Sequence, residues 1–444
     1  MPAPPPPNPT EMTMKSSLSL CLIAAALALP LRAEDAPLTL ARAIDVVLAR
    51  HPSLDAAQAA VDAARGRLQQ NGADRQPQIS ASAAYSHLSL RPYVDFGALT
   101  FYPTIKDSYV TAVSVRQVLT DFGRTDALVD LARAGQISAK DALEGVRSQL
   151  GYQTIQAFYG VLLLRDSVGV ADEEIRALEE AGRISSQKFS GGSATKFDVL
   201  TTQVRLATAR NHRTDTLASL QKQEAMLREL LGYEPAAPLP LAGGFDTSGS
   251  APDLSSTIAE GLQNRPEIKL ARDTAETSRR QLGIADHADR PTLAAQVAGG
   301  VEDAQLPAMY DNKGYMTGGV SLSVPLFTGG RTAGERVEAR ADVRASEARV
   351  RQLSATITTD VQDALSDWTA AQSRLANADA LVDQAQEALG LARTRYANGV
   401  VTNFELLDAQ SAARAAELAR LQARFDFVLA RQAIARAAGR PPAP

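Results

Sequence analysis

Apolar and polar positions along this chain follow two rhythms, and the order of the rhythms is written twice. Helical spacing in stretches rich in Ala, Arg, Asp and Leu predicts helices over 53–75 and 267–289. Period-two alternation then predicts strands at 78–88 and 292–302. Ile79, Ala81, Ala83 and Tyr85 share one face of the first, and Leu293, Ala295 and Val297 share the matching face of the second. Strand partners are expected at 109–119 and 315–326, where Val113 and Val115 correspond to Val320 and Leu322. Proline-free stretches follow at 124–188 and 331–395, each a rod of about 98 Å if helical throughout. Further helices are expected at 194–231 and 402–438. In the first unit the two shorter rods together reach about 92 Å, so one long rod can lie beside two stacked shorter ones.

The repetition keeps its register. Pro52 and Pro77 recur as Pro266 and Pro291, both offset by 214. Gly123-Arg124 recurs as Gly330-Arg331, offset by 207, as does Phe189-x-x-Gly192-x-x-Thr195-x-Phe197-Asp198 in Tyr396-x-x-Gly399-x-x-Thr402-x-Phe404-Glu405. The shift of seven falls between the second proline and the Gly-Arg, which marks an insertion-tolerant loop there. These offsets give a first unit at 34–232, a Pro/Gly-rich linker at 233–254, a second unit at 255–439 and a tail at 440–444.

Residues 1–33 read as a secretory signal peptide: Lys15 precedes an apolar run from Leu18 to Leu31, and Ala33 ends it. Either Met1 or Met14 serves as the start. The run is shorter than the roughly 20 residues of a membrane-spanning helix, and Cys21 follows Leu20, too large a neighbour for lipoprotein cleavage. An exported chain without a later apolar helix crosses a membrane only as strands of a closed barrel. Six of the 22 aromatic residues fall between Tyr85 and Tyr109, as an interfacial girdle and external loop require; a soluble hairpin with a sticky tip is the competing reading. Four strands per chain fall short of the smallest membrane barrels, of about eight, so several copies must share one barrel.

Composition narrows the chemistry. The formal charge is −4 over 444 residues, which gives no electrostatic footprint for nucleic acid. One Cys, six Met and four isolated His supply neither a zinc site nor a methionine relay, and no cofactor is expected. Ser193-Ala194-Thr195-Lys196 and Ser185-Ser186-Gln187-Lys188 fit a Ser-x-x-Lys spacing without its companion motifs, so both are read as coincidence and the chain as a non-enzyme.

The duplicated prolines, the strand-to-helix turns Asp121-Phe122-Gly123-Arg124 and Thr328-Gly329-Gly330-Arg331, and the run Arg393-Thr394-Arg395-Tyr396-Ala397-Asn398-Gly399-Val400-Val401-Thr402-Asn403-Phe404-Glu405-Leu406-Leu407-Asp408-Ala409 resemble the TolC-like outer-membrane efflux family over nearly the whole chain. The resemblance implies a mixed fold, a membrane β-barrel continued by a long α-helical barrel. A homotrimer would close 12 strands in the outer membrane and 12 helices as a periplasmic tunnel. It implies an exit duct for a tripartite pump or a type I secretion system. The partners would be outer-membrane lipid, a periplasmic adaptor (membrane fusion protein) and an inner-membrane transporter of the RND, ABC or MFS class. The rival from another class is a periplasmic coiled-coil scaffold or adaptor with soluble hairpins.

The family pattern also carries site residues. Glu405 and Asp408 match acidic positions ringing the tunnel entrance and, three apart, share a helix face. Asp198 and Tyr396 match two latch positions, while Val401 replaces the latch arginine. Gly191, Gly192, Asn398 and Gly399 match adaptor-binding tips, although helix C-capping also accounts for them. Thr195 and Thr402 read as N-caps, and a capping box would account for Asp198 and Glu405 without any gate; Asp408 has no such role.

Overall fold

The computed structural model describes residues 37–303 and 312–442; the signal-peptide reading over 1–33, with Cys21 and both candidate starts, lies outside the described residues. Two short helices open the first unit, α1 (Leu40–Arg50) and α2 (Pro52–Ala73). Pro52 separates them: it cannot donate into α1, and its fixed φ suits the first position of α2. The second unit repeats the device with α5 (Leu254–Asn264) and α6 (Pro266–Asp286). The long rods are α3 (Arg124–Ser190) and α7 (Arg331–Ala397), 67 residues each, followed by α4 (Lys196–Leu231) and α8 (Asn403–Ala437). α3 packs against both α2 and α4, and α7 against both α6 and α8. No helix among the described residues is long and apolar enough to cross a membrane.

Both long rods start from left-handed turns. Gly123 (φ 98°) and Gly330 (φ 86°) precede them, and one residue earlier Phe122 (φ 54°) stands where the second unit has Gly329 (φ 63°). A side chain there costs about 1–2 kcal/mol that glycine avoids, yet the exposed Phe122 is retained. Asp121 supports the turn, its carboxylate accepting from the Gly123 N–H, the Thr125 N–H and the Thr125 hydroxyl.

Strands β1 (Gln78–His87), β4 (Asp107–Thr120), β5 (Thr292–Asp303) and β6 (Asn312–Ser323) form one antiparallel sheet in that order, and β2 (Val94–Asp95) pairs with β3 (Thr100–Phe101) in the loop between β1 and β4. The expected strand at 315–326 ends at Ser323 instead. Pro325 lacks the N–H that a further ladder bond needs. Register sorts the side chains. Ile79 opposes Val115, Tyr85 opposes Tyr109, Val115 opposes Val297 and Leu293 opposes Leu322, so these residues share an apolar face. It is open to its surroundings: Ile79 is 72% exposed and Val320 65%. The other face is polar, with hydroxyl pairs Ser80–Ser114 (2.8 Å) and Ser86–Ser108 (2.7 Å). Tyr85 and Tyr109 stack at 5.8 Å near one end of the apolar face. Among the described residues β1 and β6 are edge strands with one unpaired side each.

The main core lies where α1 through α4 meet, around Val47, Ile155, Phe158, Val161, Leu227 and Leu231. The linker packs onto it: Leu38 and Leu241 form a parallel bridge, and Phe245 stacks on Tyr159. A second core joins α7 to α8, with Trp368 and Phe427 at 5.7 Å. Farther along, Val382, Ala385, Ala413 and Ala416 let the same two helices approach closely.

Asp273 on α6 faces Asp141 on α3. Burial, then repulsion from Asp141, pushes its carboxyl up to about 6. A carboxyl raised above its unfolded value stabilises the fold when protonated, and that contribution is lost as pH rises through about 6. Asp273→Asn should therefore raise the melting temperature at pH 7.5 and have little effect at pH 4, as read by thermal denaturation in detergent.

Candidate functional site at the helix-hairpin tips

The turns joining α3 to α4 and α7 to α8 are built alike. Gly191 donates its N–H to the Gln187 carbonyl (3.0 Å), Gly192 to Phe189 (3.0 Å) and Ser193 to Lys188 (2.8 Å). In the second tip Asn398 donates to Thr394 (3.2 Å), Gly399 to Tyr396 (3.1 Å) and Val400 to Arg395 (2.9 Å). Gly192 and Gly399 take φ of 73° and 74°, which makes each turn a glycine-ended helix stop.

The two following helices start differently. The Thr195 hydroxyl accepts from the Asp198 N–H (3.2 Å), and the Asp198 carboxylate accepts from the Thr195 N–H (2.9 Å) and hydroxyl (2.7 Å), a complete capping box. Thr402 accepts from the Glu405 N–H (3.3 Å), but no reciprocal bond forms. The capping-box expectation therefore holds for Asp198 and needs correction for Glu405: its backbone completes the cap and its carboxylate does not. Glu405 and Asp408 are both exposed, and neither carboxylate has a partner among the described residues. Leu406 and Leu407 between them are buried, Leu407 against Leu178 and Ala209 of the other hairpin. Burial of these two leucines turns the acidic pair outward.

Tyr396 is buried, its hydroxyl pushed up by burial and set beside Ser185. No hydrogen bond joins that phenol to the Asp198 carboxylate among the described residues. The link present is Lys188, whose Nζ donates to the Tyr396 carbonyl (2.5 Å) and lies 3.9 Å from the ring centroid. Asn403, buried, donates from Nδ2 to the Asp198 carbonyl (3.2 Å) and the Thr202 hydroxyl (3.0 Å). Higher up, Arg414 of α8 meets Glu174 of α3 at 2.9 Å; burial outweighs the guanidinium and raises the Glu174 carboxyl. Sequence reading passed over Lys188 and Asn403, because both bonds join residues about 200 positions apart. Lys188 figured only inside a Ser-x-x-Lys spacing read as coincidence, and Asn403 only as one residue of the Arg393–Ala409 run. Phe197 and Phe404, one residue into α4 and α8, are 73% and 63% exposed and face outward beside the turns. Their recurrence at equal spacing was visible; their exposure was not.

Lys188→Met removes both the hydrogen bond and the cation–π contact. It should destabilise the tips by about 1–2 kcal/mol and speed amide exchange at 191–195 and 398–402, read by hydrogen–deuterium exchange, with Lys188→Arg intermediate.

The profile of the family described as "Outer membrane efflux protein" matches residues 43–233 and 257–440. Outer membrane protein OprJ of Pseudomonas aeruginosa is 26% identical over 402 residues, covering 86% of this chain and 79% of its own. The alkaline protease secretion protein AprF of the same organism is 26% identical over 385 residues, covering 82% and 78%. Among solved structures, outer membrane protein VceC of Vibrio cholerae superposes with a TM-score of 0.76 at 22% identity, covering 90% of this chain and 96% of that one.

Proposed function

The chain belongs to the outer membrane efflux protein family, and we propose that three copies of this outer-membrane exit duct close a 12-strand barrel continued by a 12-helix periplasmic tunnel. The observation that carries this reading is the four-stranded sheet with one apolar face, one polar face and two unpaired edges. In hydrocarbon each unpaired backbone group costs several kcal/mol, so β1 and β6 need strands from neighbouring copies. Apolar side chains then meet lipid and the polar face lines the lumen.

The repeated units 34–232 and 255–439, joined by 233–254, would make each subunit a quasi-twofold third of the tube. At the tunnel entrance Glu405 and Asp408 recur three times as an acidic ring that favours cations. Their exposed, unpartnered carboxylates support that role. Asp198 and Tyr396 belong to the contact that holds neighbouring hairpins closed, with Lys188 and Asn403 setting the spacing of the two tips within one subunit. The turns at Gly191, Gly192, Asn398 and Gly399, flanked by Phe197 and Phe404, present the surface for a periplasmic adaptor, which couples the duct to an inner-membrane transporter. The duct moves cargo passively and catalyses nothing. Relatives carry names from toluene efflux to alkaline protease secretion, so small molecules and polypeptides are both within the range of this architecture.

Reconstitution in planar bilayers tests the reading. The wild-type protein should form cation-preferring pores, and Glu405→Gln with Asp408→Asn should reduce that preference several-fold. Pores whose selectivity ignores both substitutions would remove the acidic ring, and failure of the wild type to form pores would remove the duct.

A further inference from the structure

We propose that Arg116 forms an anion-binding ring inside the base of the barrel, selective for oxyanionic groups such as carboxylates; this inference rests on the trimeric barrel proposed above. Arg116 lies near the α3 end of β4, where register places it opposite Gln78 of β1 and Gln296 of β5. All three belong to the polar face that carries the Ser80–Ser114 pair. A polar belt therefore crosses three adjacent strands at one level.

Arg116 is the one charged side chain of this belt. Arg116 is exposed and makes no ion pair among the described residues. The one other charged side chain described on the polar face is Glu302, whose level on β4 is Val110. Six residues of strand put that level about 20 Å away. Two carboxylates border the same hollow of about 410 Å³ that Arg116, Gln78 and Arg124 line. Asp121 is engaged in capping α3 through its bonds to Gly123 and Thr125. Asp74, at the end of α2, and Arg124 bring opposite formal charges to the hollow, and neither makes an ion pair among the described residues. Of the two glutamines, Gln78 turns its amide N–H to the Ala73 carbonyl (2.9 Å), whereas the Gln296 side chain has no partner among the described residues. A free guanidinium beside a free amide is a donor set suited to oxyanions, which guanidinium binds bidentately.

Threefold closure multiplies the site. Twelve strands tilted by about 40° and spaced about 4.8 Å apart give a barrel of roughly 12 Å backbone radius. Three guanidiniums reaching inward stand roughly one to two Debye lengths apart, so their fields overlap in the lumen. The duct then carries opposite charge at two levels: carboxylates at the periplasmic entrance and guanidiniums where the tunnel meets the barrel. Carboxylate-bearing cargo that has passed the first zone is held at the second.

The test uses the full-length trimer in planar bilayers, with citrate as the probe added on the barrel side. Wild-type pores should be partly blocked by citrate. Arg116→Gln should weaken that block by roughly tenfold or more and move the reversal potential in a KCl gradient toward cations. Gln296→Glu keeps the arginine and sets a carboxylate opposite it, so it should give the same loss and serves if Arg116→Gln fails to assemble. Citrate block and reversal potential unchanged in pores of either variant would overturn the ring while leaving the duct intact. Absence of wild-type pores would instead strike the barrel reading itself.

Discussion

Two unpaired backbone edges govern this protein. β1 and β6 each leave one side without partners, on a sheet whose exposed face is built from Ile79, Val113, Val297 and Val320. Water would satisfy those edges but not that apolar face; lipid satisfies the face but not the edges. Only a closed ring of strands meets both demands, and one chain has too few. On the proposed reading, assembly is thus a condition of membrane insertion.

The helical part follows from the same demand. In the trimer proposed above the circle passes to a second set of elements, and the left-handed turns at Gly123 and Gly330 convert strand to rod within a few residues. Each long rod needs company along its full length, which two shorter helices supply on either side of a proline- or glycine-marked break. The far ends of these rods come together as the tips, where Lys188 and Asn403 join the two hairpins and the buried Leu406 and Leu407 orient Glu405 and Asp408 outward.

Much of this was legible in the sequence because it is local. Alternation exposed the strands, and the prolines and glycines punctuated the helices through backbone restrictions that one residue imposes on its neighbours. The two-residue strands β2 and β3 were not legible, since they are too short to establish a period, nor was α1, which precedes Pro52 without a strong boundary signal of its own. The pairing of β4 with β5, with its register shift between Val118 and Thr120, joins residues about 180 positions apart and leaves no local trace. At the tips the capping motifs could be read, but not the difference between them. Only the placed side chains separate Asp198, whose carboxylate is engaged, from Glu405, whose carboxylate is free.

The subunit count in the membrane-extracted protein tests the central claim most directly. Native mass spectrometry of the protein released from outer membranes in mild detergent should give a single species of three chains. A species of one chain, carrying its four strands alone, would contradict the account.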